Sequence, residues 1–518
     1  MFGSWVSWWG SSPPPEKNND EDWETDCVMV PKEESKLENI ENTNPDITPE
    51  GYVNVKDEII PMPTAYCKFL DEIKFDISEP LTSSSHNVFR GIDTIPNKHY
   101  LKQIPTLEMA YVEVFLSTIY RYSLLYGTAY AHLCCDQLSQ PAKITCNKKG
   151  WIPGWEGSVK GWVISSKEIP NLRTFKDAPL TKELLDDPLY SERFMEVLAE
   201  LRRMCEDDAN RGNIGLDLTL PDPDCAMWPA TCDIKGDRSY ADKFGVTRDP
   251  KTAFDLLEND ARDFPDGSNV GWYYPCQNNP WSRQVSDNPW LPEEVALVQG
   301  LQKDDRRLAI SFDLYLDWML DVTPRFENFA HLCFPPNLCL PNNSSKTLIQ
   351  HYVETNQMID AQYWKILPNM PEFKDYIETN HDLILMKILV RSQIRNHRLD
   401  QDKAACPQFA AQFDHAKRET REVIEKFMEL IQLSYKNKIY TCSKLFTSTF
   451  DAPKLPDYAA ITSKLEQIAK GIAGEMIALE KVYQTENWRP FYEKFHQLMD
   501  KYAQCFRNTQ ECRRQSGP

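Results

Sequence analysis

From Ser344 to Phe506 apolar residues recur at helical spacing, segment after segment. Ile461, Leu465, Ile468, Ile472, Met476, Leu479 and Tyr483 step by three or four, as do Trp488, Phe491, Phe495, Leu498, Tyr502 and Cys505. Such spacing lays one apolar stripe along each helix, and the stripe must be buried against other helices. The pattern predicts helices over 346–367, 372–399, 408–447, 458–485 and 488–507, broken at Pro368–Pro371, Cys406-Pro407 and Pro453–Pro456. Connections this short predict antiparallel neighbours, hence an antiparallel helical bundle over 344–507 and a frayed tail over 508–518.

Upstream the periodicity weakens. Leu101–Leu138 reads as a first long helix. Its stretch Val114–Leu133 is apolar enough to raise a membrane span. Arg121 and the hydroxyls of Tyr122, Tyr126 and Tyr130 favour a buried core helix instead, and no transmembrane helix. Asp187-Pro188 marks a helix start, with Phe194, Val197, Leu201 and Met204 on one face. Leu291–Val322 is predicted helical, with Leu308, Phe312, Leu316 and Met319 aligned, ending at Pro324. Residues 206–292 are rich in Asp, Pro, Gly and Trp (Trp228, Trp272, Trp281, Trp290) and read as an irregular cap packed by its aromatics. Trp151, Trp155 and Trp162, interleaved with glycines, predict turns or a small hairpin.

The expected fold is therefore mainly α. A multi-helix body over 64–343, with an irregular Trp/Pro-rich insert, precedes the C-terminal helical bundle. Residues 1–63 read as a disordered acidic tail, too poor in apolar side chains to offset the entropy of ordering.

That tail carries two docking motifs. Phe2, Trp5, Val6, Trp8 and Trp9 form an aromatic N-terminus suited to a hydrophobic groove on a partner, a membrane interface or the protein's own body. Tyr52-Val53-Asn54-Val55 fits two kinds of partner. With Tyr52 phosphorylated, Asn54 stands where ligands of SH2-type domains carry asparagine. Tyr52 and Val55 also match the aromatic-x-x-aliphatic core that ubiquitin-like autophagy modifiers take as an added strand. Ser12-Pro13 and Thr48-Pro49 are minimal proline-directed phosphorylation sites, which makes a phosphoprotein the expectation.

A net charge of −19 over 518 residues argues against nucleic acid as a partner, since phosphate binding needs clustered Lys and Arg. The 15 cysteines are an odd number with no CxxC pair, and residues 1–12 lack the features of a secretory signal. Reduced thiols and a cytoplasmic location are expected. Cys134-Cys135 reads as a buried, inert pair.

The sharpest candidate chemistry is a pair of Glu-x-x-His units, Glu378/His381 and Glu493/His496. Di-iron helical proteins place such units on two facing helices and single glutamates on the others, here Glu354 and Glu466 or Glu475. Iron or manganese would be the cofactor on that reading; otherwise none is expected. Asp313, Asp317 and Asp321 form an acidic ridge that reads as the wet side of an amphipathic helix. Asp222, Asp224 and Asp233 lack the pattern of a calcium loop. No GxSxG elbow supports a serine nucleophile, and no GxGxxG or GxxxxGK[ST] occurs, which disfavours nucleotide enzymes. The function expected from these features is a non-enzymatic intracellular adaptor or scaffold that binds protein partners. The alternative is a metal-dependent, di-iron-like enzyme with its site between the bundle and the Trp-rich region.

Overall fold

A hairpin comes first: β1 (Tyr52–Val55) and β2 (Glu58–Pro61) run antiparallel, with Tyr52 opposite Pro61 and Val55 opposite Glu58. The computed structural model describes residues 52–55, 58–61, 65–75, 88–94, 97–136, 140–147, 158–206, 209, 211–221, 226–227, 230–231, 234, 290–301, 304, 306–443 and 457–515. At 52–55, 58–61, 146–147, 158–159, 435–443 and 506–515 it describes the backbone alone. Residues Asp46–Pro518 form one compact unit; the other unit, Met1–Pro45, lies outside the described residues and carries Trp5, Trp8 and Trp9.

The expectation of a mainly helical body needs correcting between residues 67 and 167, where a seven-stranded sheet forms. Its strands are β3 (Cys67–Phe69), β4 (Ile73–Phe75), β5 (Val88–Asp93), β6 (Lys98–Ile104), β7 (Ala131–Cys135), β8 (Lys143–Asn147) and β9 (Ser158–Lys167). The spatial order is β4-β5-β6-β9-β7-β3, with β8 paired to the start of β9. All neighbours are antiparallel except β3 and β7.

The long helix expected over Leu101–Leu138 is thus three elements. Strand β6 is followed by α1 (Leu107–Ser123) and then β7. Pro105 stops the strand, and the Thr106 hydroxyl caps α1 by accepting from the Met109 amide at 3.2 Å. Helix α1 is buried on nearly every face, which is why its sequence carries no amphipathic period. Phe115 sits at its centre, packed on Phe326, Phe334 and Tyr352 with ring centroids 5.3, 4.8 and 5.3 Å away.

The helical layer follows. Short α2 (Lys182–Leu185) leads to α3 (Pro188–Arg203), whose Asp187 cap accepts from Leu189 and Tyr190 amides as its sequence predicts. Helices α4 (Pro292–Gly300), α5 (Arg306–Asp317) and α6 (Thr323–Cys333) come next. Pro324 does not end the helix. A π-turn over Trp318–Val322 joins α5 to α6, and the wider turn carries the chain past a residue with no N–H to donate.

Beyond a short hairpin (β10, Cys339–Leu340; β11, Asn343–Thr347), the helices fall close to their predicted spans, except that the one expected over 408–447 is two, parted at 417–419. They are α7 (Leu348–Ile366), α8 (Pro371–Ala405), α9 (Ala410–Ala416), α10 (Thr420–Ser443), α11 (Thr462–Leu479) and α12 (Arg489–Gln515). The last runs on through Arg513 and Arg514. Among the described residues no helix is long and apolar enough to cross a membrane.

The acidic ridge of α5 is the second correction. Asp317 and Asp321 are not wet; they are 1% and 0% exposed. Arginines from α8 and α6 meet them. Arg395 Nη1 donates to Asp317 at 2.7 Å and to Asp321 at 2.9 Å, and Arg325 Nη2 donates to Asp321 at 2.5 Å. Arg391 reaches Asp317 and, at 2.5 Å, Glu196 on α3. The same α8 arginines grip the end of α1. Arg395 donates to the carbonyls of Tyr122 and Ser123, and Arg398 to that of Arg121. Those are last-turn carbonyls that a helix cannot satisfy internally.

Glu200 on α3 is buried beneath this lattice, accepting from the Ser123 hydroxyl and, at 2.8 Å, from Trp318 Nε1. Burial pushes its carboxyl up from 4.5 to about 7, against both hydrogen bonds.

Two outcomes follow from these buried charges. Replacing Arg395 by Met leaves Asp317 and Asp321 short of a partner and should destabilise the fold by about 3–5 kcal/mol in chemical denaturation; a loss under 1 kcal/mol would contradict the lattice. For Glu200, the folded state keeps a proton that the unfolded chain releases near pH 4.5. Its stabilisation is full below that pH and is lost as pH rises through about 7. Glu200→Gln should flatten the fall in melting temperature between pH 5 and 8 and stabilise the protein at pH 8 by on the order of 1–3 kcal/mol. Parallel pH profiles for variant and wild type would refute the assignment.

Candidate functional site

A lysine on a strand faces a glutamate on the helix that follows it. Along β6 the side chains alternate, so Lys102 and Ile104 face α1 while His99 and Leu101 face the other side of the sheet. Lys102 Nζ lies 2.9 Å from Glu113 Oε1 in the second turn of α1, and the two residues are 8% and 7% exposed. A pair this dry costs desolvation on both sides and is weak evidence for stability. Its placement directs attention to what the same helix touches next.

Tyr120 stands seven residues after Glu113 on α1, two turns on and about 10 Å along the axis. Its hydroxyl donates to Glu206 at 3.3 Å. Glu206 opens the loop that follows α3, where Cys205 takes a left-handed conformation with φ 47°. The loop is tied at several points. The Ala209 carbonyl accepts from Trp290 Nε1 at 2.8 Å, the Arg211 carbonyl accepts from the Lys176 amide, and Arg211 pairs with Glu294. Past it, Leu220 pairs with Gly127 and Ala129 in the segment that leaves α1. Helix α1 therefore joins Lys102 of the sheet to the loop around residues 206–213. Asp207, Asp208 and Asn210 of that loop, and Asp222, Asp224 and Asp233 beyond it, lie outside the described residues, whereas Gly212 and Asn213 lie within them.

The residues singled out from the sequence are placed as follows. The His381 ring Nδ1 is 2.6 Å from the Tyr458 hydroxyl, which in turn donates to Asp382 at 2.6 Å. Glu378 is exposed on the same helix. Glu493 pairs with Arg489 at 3.3 Å, and His496 Nε2 stands 3.5 Å from Glu192. Burial first of all lowers the pKa of His496. Glu354, Glu466 and Glu475 are each paired with a lysine, Lys346, Lys470 and Lys494. Among the described residues, no group of three or more His, Cys, Asp or Glu could hold a metal ion. Cys134 is fully buried, and burial pushes its thiol up to about 12, which fits an inert role. Tyr52, Asn54 and Val55 lie on strand β1, which has one paired edge within its two-stranded sheet.

No protein-family model matches the chain, and no curated protein does either. The case for function rests on the residues themselves. Sequence reading missed Lys102 and Glu113 because nothing marked residues 98–104 as a strand. The available signal was Asp208-x-x-x-x-Asn213, a spacing that gains meaning once a lysine–glutamate pair stands nearby.

Proposed function

We propose that the body is a phosphotransferase of the protein-kinase type, binding a nucleoside triphosphate between the sheet and the loop at 206–213. The buried Lys102–Glu113 pair carries the reading. In protein kinases the lysine that meets the nucleotide phosphates is on the third strand of an antiparallel sheet and is held by a glutamate of the next helix. Here β4, β5 and β6 form a three-strand meander, Lys102 is on its third strand, and α1 follows directly.

The remaining parts can be named from the chain. By its five-residue spacing to Asn213, Asp208 would be the catalytic base that accepts the proton of an acceptor hydroxyl, and the Asn213 amide oxygen would be a ligand of a divalent cation. Asp222 and Asp224 would supply the further hard oxygen ligands that magnesium takes. Lys102 would neutralise phosphate charge, with Glu113 fixing its ammonium, so catalysis would be positioning and electrostatics. Two parts of the template differ. The β4–β5 connection, residues 76–87, contains no glycine, and Glu206-Asp207 takes the place in the sequence where the template has His-Arg before the base. The absence of glycine is why motif reading disfavoured a nucleotide enzyme. The adaptor expectation rests on the motifs at Trp5, Trp8, Trp9 and Tyr52 and concerns a different part of the chain.

Calorimetric titration of the full chain with ATP and magnesium or manganese should give saturable binding, weakened at least about tenfold in Lys102→Met. Asp208→Asn should keep binding but lose phosphoryl transfer by roughly 10²–10⁴-fold, the usual worth of a general base. Absence of nucleotide binding by folded wild-type protein would overturn the proposal and return the adaptor reading to first place.

A further inference from the structure

On the face of the sheet turned away from Lys102, a small core of Ile73, Phe89, Leu101, Cys134, Ile144 and Val163 leaves one end uncovered by apolar side chains. A cavity of ≈ 270 Å³ lies there. Strand alternation brings Lys68, Asp93, His99, His132 and Lys167 to it from five strands, while Arg121 at the end of α1 and Glu486 before α12 close it.

Three permanent cations thus face two carboxylates, and each cation keeps donors to spare. Lys68 Nζ spends one hydrogen on Asp93 at 2.7 Å and stands 3.2 Å from His99 Nε2. Lys167 Nζ lies 3.3 Å from Glu486 Oε1. Arg121 spends two of its five N–H groups on Asp402, at 2.8 and 3.4 Å, with its guanidinium 4.1 Å from the Tyr130 ring centroid.

The second observation is a set of polar atoms without partners. His99 Nδ1, His132 Nδ1 and Glu486 Oε2 are all buried with no hydrogen bond. His99 and Glu486 are 5% and 6% exposed. Three such orphans gather around this one cavity, where a polar guest would satisfy them. Burial lowers the pKa of both imidazoles, that of His132 to about 3, so they meet a guest as neutral hydrogen-bonding groups. Asp93 stays ionised: burial opposes this, but hydrogen bonds from Lys68, Asn97 and His99 hold it well below the usual carboxylate range.

We infer that this cavity binds a small oxyanion-bearing molecule. Its phosphate or carboxylate group would be held by Lys68, Arg121 and Lys167, and a hydroxyl or amine of the same molecule would meet Glu486 and the histidines. A volume of ≈ 270 Å³ falls just under the range of drug-sized ligands and is about nine water volumes, so the guest is small. The site is separate from the proposed nucleotide cleft, because His99 and Lys102 project from opposite faces of β6.

The test is calorimetric titration of the full chain with inorganic phosphate and, separately, succinate, at ionic strength matched with sodium chloride. Saturable binding of at least one probe is expected. It should weaken tenfold or more in Lys167→Met, a partly exposed position whose loss the fold should tolerate. It should be unchanged in Lys98→Met, which lies outside the cavity, and in Lys102→Met. Binding of phosphate alone or of succinate alone supports the site and names the oxyanion. No saturation by either probe overturns the inference. So does undiminished binding in Lys167→Met, or loss in Lys102→Met with Lys167→Met intact.

Discussion

The proposed nucleotide cleft depends on how helix α1 is held, and it is held by charge. Its last carbonyls, at Arg121, Tyr122 and Ser123, accept hydrogen bonds from Arg398 and Arg395 of α8. Asp402, one turn further along α8, takes Arg121 and the Tyr122 hydroxyl. A helix end buried without such donors would carry unsatisfied carbonyls, each a desolvation cost of about 1–3 kcal/mol. With them, a central helix with little polar surface is fixed in rotation and along its axis. Glu113 and Tyr120 are fixed with it, one against Lys102 and the other against Glu206.

The arginines that hold α1 need charges of their own, and α5 supplies them. Buried ion pairs rarely add net stability over an apolar core of the same shape, but they are demanding about geometry, since each group must find all its partners. The π-turn at Trp318–Val322 belongs to the same arrangement, because Asp321 within it meets both Arg325 and Arg395. Helices α1, α3, α5, α6 and α8 are thus joined by a polar lattice as well as by the apolar core that spans them.

How much of this was legible in the sequence follows from the same physics. Helices α7, α8, α10, α11 and α12 were, from their apolar spacing and the prolines between them, and Asp187-Pro188 announced α3. Strands β5 and β6 were not. Strand β6 reads Lys-His-Tyr-Leu-Lys-Gln-Ile, with Lys102 and Gln103 buried through an ion pair and a hydrogen bond to the Ile144 carbonyl, so apolar alternation is broken by buried polar residues. Asp317 and Asp321 misled for a related reason. Spacing alone places them opposite the apolar stripe, and nothing local tells that Arg391 and Arg395, some seventy residues later, cover them. The candidate site was legible in pieces, as a lysine, a glutamate and an Asp-x-x-x-x-Asn spacing, but only the fold puts the first two together. The Glu-x-x-His units had the opposite character: regular in sequence, yet His381 and His496 meet Tyr458 and Glu192.

The most direct test of the account is hydrogen–deuterium exchange of the full chain, read by mass spectrometry with and without magnesium and ATP. If α1 links Lys102 to the loop, nucleotide should protect peptides covering Lys98–Ile104, Leu107–Ser123 and the loop 205–213 together. Unchanged exchange in all three segments at saturating nucleotide, or protection confined to the bundle helices, would contradict it.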